Sequence, residues 1–141
     1  MLAILLLLTA HAAPTDAFVE LGGSGGLGSV NMAAPVGSSD LFRARAGLSL
    51  MPLDRNTGWV VIVPMLLEVE SRGTLSAVAG AGLGVSCTTK LHPHVRGTLE
   101  LGGRYRPKGP VWVGVAYTPL VSFILDRQWE HWAGLQVGTS W

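Results

Sequence analysis

The sequence predicts an all-β fold, an eight-stranded antiparallel up-and-down transmembrane β-barrel, and three observations carry that expectation. Side-chain character alternates through eight segments, charged residues within the segments share the less apolar face, and only 13% of residues are charged against 48% hydrophobic. Soluble domains average about 25% charged. Successive strand side chains point to opposite faces. A soluble sandwich turns its apolar face inward, whereas a membrane barrel turns it to lipid and encloses the polar one. A solvated face on eight strands would need many Lys and Glu, so the scarcity of charge favours the membrane barrel.

The chain opens with an apolar run from Leu2 to Ala10, then His11-Ala12-Ala13 and Pro14. A hydrophobic core before small residues reads as a signal peptide over 1–13, and the run is short of the roughly 20 residues a spanning helix needs. Residues 14–141 are then the barrel domain, of 128 residues. Its alternating segments run approximately 16–24, 27–34, 41–51, 59–70, 74–87, 95–106, 111–122 and 131–141, separated by Gly, Pro, Asn, Asp or Ser clusters.

In the first segment Val19 and Leu21 oppose Glu20. In the third, Phe42, Ala44, Ala46, Leu48 and Leu50 oppose Arg43, Arg45, Gly47 and Ser49. In the fourth, Val61, Val63, Met65, Leu67 and Val69 oppose Val60, Ile62, Pro64, Leu66, Glu68 and Glu70. The sixth sets Leu99, Leu101, Gly103 and Tyr105 against Arg96, Thr98, Glu100, Gly102, Arg104 and Arg106. The fifth and eighth fill their polar faces with small or neutral residues, including Ser76, Gly80, Gly82, Gly84 and Ser86, then Gly134, Gln136, Gly138 and Ser140. Small residues suit a crowded interior.

Length agrees, because a spanning strand needs roughly 9–11 residues and eight strands enclose a lumen that side chains can fill. Phe42, Trp59, Tyr105, Trp112, Phe123, Trp129, Trp132 and Trp141 fall at or near segment ends, where interfacial girdles are expected. Helical spans fit less well. The charge-free stretches Gly73 to Thr89 and Gly109 to Leu125 have 17 residues each and are interrupted by Gly or Pro. The net charge of +1 excludes the basic stripe that nucleic-acid binding needs. The single Cys87 excludes a disulfide framework and a multi-cysteine metal site, and its parity makes it a lipid-facing filler.

Further strings stand out in order: Glu20-Leu21-Gly22-Gly23, Ser29-Val30-Asn31, Arg45-Ala46-Gly47-Leu48-Ser49, Arg104-Tyr105-Arg106-Pro107, Tyr117-Thr118-Pro119-Leu120, and Gly134 through Trp141. The series resembles the small, largely uncharacterised outer-membrane β-barrel proteins of Bacteroidetes-type bacteria, with eight strands as in OmpA- and OmpX-like barrels. The resemblance implies an up-and-down barrel in the bacterial outer membrane. It also implies a terminal signal for the outer-membrane barrel assembly machinery, carried here by Leu135, Val137 and Trp141, with Thr139 departing from the apolar alternation.

The enclosed face is expected to hold Glu20, Glu68, Glu70 and Glu100 against Arg43, Arg45, Arg96, Arg104 and Arg106. Arg45 and Glu100 should meet near mid-depth, with Arg43, Glu68, Glu70 and Arg104 toward the periplasmic mouth. Arginine's fork suits carboxylates there. Other constellations carry less. Gly23-Ser24-Gly25-Gly26-Leu27-Gly28 matches a dinucleotide fingerprint, but a strand rather than a helix is expected to follow, which makes it a glycine-rich hairpin tip. His92 and His94 are an incomplete metal set. Ser122, Asp126 and His131 have the residue types of a hydrolytic triad, but these are common in loops.

The expectation is therefore a non-catalytic, monomeric integral outer-membrane protein with a structural or surface-interaction role. It needs no cofactor or metal, its partners are outer-membrane lipid and the assembly machinery, and it binds no nucleic acid. The alternatives are a narrow channel, a lipid A-modifying hydrolase and a soluble secreted barrel that binds an apolar ligand.

Overall fold

The computed structural model describes residues 14–52, 58–88, 93–122 and 129–141. Its strands are β1 (Asp16–Gly22), β2 (Gly28–Val36), β3 (Ser39–Pro52), β4 (Trp59–Glu70), β5 (Leu75–Thr88), β6 (Pro93–Tyr105), β7 (Val111–Ser122) and β8 (Trp129–Ser140). Each pairs antiparallel with its sequence neighbour, and β8 closes on β1 from Asp16↔Ser140 to Gly22↔Gly134, giving a closed barrel in the order β1 to β8. Closure leaves no unpaired sheet edge. The expected leader, residues 1–13, lies outside the described residues.

The strands β3 to β8 have 12 to 14 residues each. Twelve residues extend about 40 Å, or about 28 Å of height at a tilt near 45°, comparable with the roughly 25 Å apolar band of a membrane barrel. Connections alternate between two ends. β2, β4 and β6 finish at the end where β1 begins and β8 finishes, and β1, β3, β5 and β7 finish at the far end. No described helix is long and apolar enough to cross a membrane. The two charge-free stretches instead supply β5 and β7.

Face assignment follows the period. Leu48, Leu50, Met65, Leu67, Leu99 and Leu101 are exposed on the outside, as are Val113, Val115, Leu135 and Val137. Arg43, Arg45, Glu68, Glu70, Glu100 and Arg104 are buried within. A soluble monomer rarely shows so continuous an apolar exterior.

Two expectations need correction. The aromatic residues Trp112 and Trp132 do not belong to an outer girdle. Trp112 is 1% exposed inside the barrel, and Trp132 lines an interior cavity at the far end. Both lie on inward parity, Trp112 with Gly114 and Trp132 with Gly134, so alternation overrides position along the strand. Phe42, Trp59, Tyr105, Trp129 and Trp141 do face outward, and Phe123 lies outside the described residues.

The first segment also ends earlier than its pattern suggests. β1 stops at Gly22, and Gly23–Gly25 form one 3-10 turn whose residues are all buried. Gly22, Gly23 and Gly26 have φ of 78°, 78° and 82°, which lets the chain fold into the lumen where a side chain would be strained. β2 follows directly, so the glycine string is a hairpin tip, but one that turns inward.

Candidate functional site: the charged lumen

Arg45 stands at the middle of β3 and is 2% exposed. Its Nη1 donates to Glu100 Oε2 at 2.5 Å and to Glu68 Oε1 at 3.4 Å. Its Nη2 donates to Glu20 Oε2 at 2.5 Å and to Ser24 Oγ at 3.1 Å, and its Nε to Asn31 Oδ1 at 3.1 Å. A guanidinium has five N–H donors, and all five are engaged. β1, β2, β3, β4, β6 and the inturned tip thus converge on one side chain. The expected mid-depth pairing of Arg45 with Glu100 is present.

Arg104 repeats the arrangement one step toward the termini. It donates to Glu68 at 2.9 Å, Glu70 at 2.8 Å and Gln136 Oε1 at 3.2 Å. Gln136 turns its amide nitrogen to Glu20 at 3.0 Å and Glu100 at 3.2 Å. Arg106, just past β6, binds Asp16, Glu70 and Ser140, and Arg43 reaches Asp16 at 3.0 Å and the Ala33 carbonyl at 3.1 Å. Every carboxylate in this set faces at least one guanidinium, which is the condition under which buried charge is tolerated.

Arg96 departs from the expected network. It shares the inward parity of Glu100, but it lies near the far rim, where it pairs with Glu130 at 3.1 Å with both side chains over 40% exposed. About four residues of strand, roughly 13 Å, separate it from Glu100 along β6. Asp16 takes the opposite course. Sequence reasoning omitted it, although it shares the parity of Glu20, and it is fully buried at the terminal end. The exchange leaves five carboxylates (Asp16, Glu20, Glu68, Glu70 and Glu100) with four guanidiniums (Arg43, Arg45, Arg104 and Arg106), a formal sum of −1 rather than the expected +1.

Aromatic plates separate the guanidiniums. Phe18 and Trp112 pack at 5.1 Å between ring centroids, with Arg45 over Phe18 at 4.8 Å, Arg104 over Trp112 at 5.0 Å and Arg106 over Trp112 at 4.8 Å. Cations are attracted to ring faces. Phe18 was signalled by its parity with Glu20, and Trp112 by its parity against the outward valines of β7. Together with the Gly23–Gly25 turn, these side chains fill the cross-section.

The remaining constellations lie only partly within the described residues. Asp126 and His92 lie outside the described residues, as does the side chain of Ser122. His131 is on the outer face, with its Nδ1 2.5 Å from the Tyr117 hydroxyl. His94 lines the far-end cavity. Among the described residues, no three or more His, Cys, Asp or Glu side chains are grouped to hold a metal ion. Cys87 is free and half-buried.

A solved structure entitled "De novo design of transmembrane beta-barrels" superposes on this chain with a TM-score of 0.57 at 14% identity, covering 94% of this chain and 100% of that one. The fold is that of a transmembrane β-barrel. No family model and no curated protein matches the chain. The likeness is one of fold, whereas the Arg and Glu network is read from this chain's own residues.

Proposed function

We propose that this chain is an integral protein of the bacterial outer membrane with a structural or surface-interaction role, exported by its leader. The reading extends to the barrel proteins of Bacteroidetes-type bacteria that its sequence resembles. The observation that carries it is the division of the molecule into an apolar exterior and an interior closed by Arg45, Arg104 and their carboxylates. Hydrocarbon suits the first, and a passage for ions would favour a wider lumen lined by one sign of charge.

Leu135, Val137 and Trp141 lie exposed on the outer face and end of β8, where an assembly factor would meet the closing strand. Lipid covers the rest of the apolar band, and a single copy suffices because the sheet has no free edge. Catalysis has no part in this reading.

Cell fractionation with a heat-modifiability gel tests it. The expected result is a chain in the outer-membrane fraction that migrates differently before and after boiling, and gives no steady conductance in planar bilayers. Recovery of the folded chain in a detergent-free soluble fraction would overturn the membrane reading. Steady conductance would replace the structural role with a channel.

A further inference from the structure

The far-end half of the lumen differs from the terminal half. Val60, Ile62, Leu120 and Trp132 point inward there, although the same strands already present Val61, Trp59 and Trp129 outside. They enclose a cavity of about 250 Å³. Its floor is the inturned tip at Ser24 and Gly26. Below the floor, Ser24 Oγ donates to Glu20 and accepts from Arg45, so the cavity is a dead end above the charged layer. Its rim carries Arg96 and Glu130.

Three features define what fits. Apolar walls with a few polar groups are the usual makeup of a small-molecule site, and barrel mouths are a common place for one. The volume lies under the roughly 300 Å³ at which drug-sized pockets begin, which restricts the occupant to a short tail. The polarity is one-ended, because the floor is small and neutral while the rim has a guanidinium. Among the described residues the Arg96 side chain makes one hydrogen bond, the 3.1 Å contact to Glu130. An ion pair this exposed contributes little, so Glu130 can yield to another carboxylate, which the remaining N–H fork suits.

We propose that this chamber binds a small carboxylate-bearing amphiphile. Its short apolar tail lies between Val60, Ile62, Leu120 and Trp132, and its carboxylate sits on Arg96 in place of Glu130. The charged layer beneath stops the tail, so the molecule is held at the mouth and not passed through.

The probe is 8-bromooctanoate, added to the full barrel folded in detergent micelles, with bromine quenching of tryptophan emission as the readout. Quenching should contain a saturable part, and that part should disappear in Trp132→Phe, which removes the reporter inside the chamber. Gly84→Phe fills the chamber: a Cβ at Gly84 meets only the Ile62 Cγ2 at 3.9 Å, so the larger side chain has room to enter. That variant, or Gly84→Leu should the bulkier one not fold on the heat-modifiability gel, should bind at least about tenfold more weakly. Arg96→Gln should weaken the carboxylate about threefold, roughly 0.6 kcal/mol, and leave 8-bromooctanol unchanged. Linear quenching that is equal in wild type and the folded Gly84 variant means micelle partitioning alone and overturns the site. Equal affinity of wild type for the acid and the alcohol overturns the role of Arg96.

Discussion

Arg45 and Glu100 are 55 positions apart in the chain and meet at 2.5 Å across the lumen. Arg45 also bonds Glu20 and Glu68, so its removal leaves the buried Glu20 with no guanidinium partner and leaves Glu68 and Glu100 with Arg104 alone. Breaking one buried pair costs roughly 3–5 kcal/mol, and Arg45→Ala is expected to lose at least that much. Glu100→Gln should cost clearly less, because Arg45 keeps two carboxylate partners. Urea unfolding of both variants in one detergent, compared by midpoint and slope, measures the difference. Equal losses would show that Arg45 is not the centre of the network.

Arg96 provides the contrast. Its partner Glu130 and its own side chain are both over 40% exposed, and exposed ion pairs contribute about 0–1 kcal/mol. Arg96→Ala is expected to shift the unfolding free energy by less than about 1 kcal/mol, with salt removing most of the effect. A loss comparable with that of Arg45→Ala would return Arg96 to the buried layer.

The contrast also shows what the sequence could convey. Alternation is a property of the strand itself, so the faces of Arg43, Arg45, Glu68 and Glu100 were legible residue by residue. Depth is not. Arg96 and Glu100 share a face, and only the register of β6 against β5 and β7, with Arg96 opposite Gly84 and Ser122, places one at the rim and the other in the middle. Asp16 was overlooked because it begins its strand, although its parity matched. Trp112 was assigned to an interface on its proximity to a strand end, when parity against Val111 and Val113 already pointed inward. The inward fold of Gly23–Gly25 had a glycine signal for a turn but none for its direction, which the waiting Glu20 and Arg45 supply.

Trp112 is buried against Phe18, with Arg104 and Arg106 over its ring. Its Nε1 has no protein acceptor among the described residues, so its contribution is that of a ring and not of a donor. Trp112→Ala is expected to cost about 3–5 kcal/mol, the usual range for deleting a large buried aromatic. Trp112→Phe keeps a ring face for both arginines and should lose less than half as much. Denaturant titrations of the two variants check this, and similar losses would mean that the indole nitrogen matters after all.

Glycines at two inward positions should respond with opposite signs. At Gly138 a Cβ would lie 2.6 Å from the Phe18 Cβ and 2.6 Å from the Trp112 ring. β8 is held there on both sides, with Gly138 opposite Phe18 and Trp112, so the rings must move. Forced overpacking of this kind costs about 1–3 kcal/mol, which is the destabilisation expected for Gly138→Ala. At Gly84 the nearest atom, Ile62 Cγ2, is 3.9 Å away, and a methyl there meets only ordinary contact. Glycine inside a strand is about 0.5–1 kcal/mol less favourable than alanine, so Gly84→Ala should raise the urea midpoint. A fall at Gly84 would mean that the far-end half of the lumen is tighter than these contacts require, and no change at Gly138 would mean that the terminal half is looser.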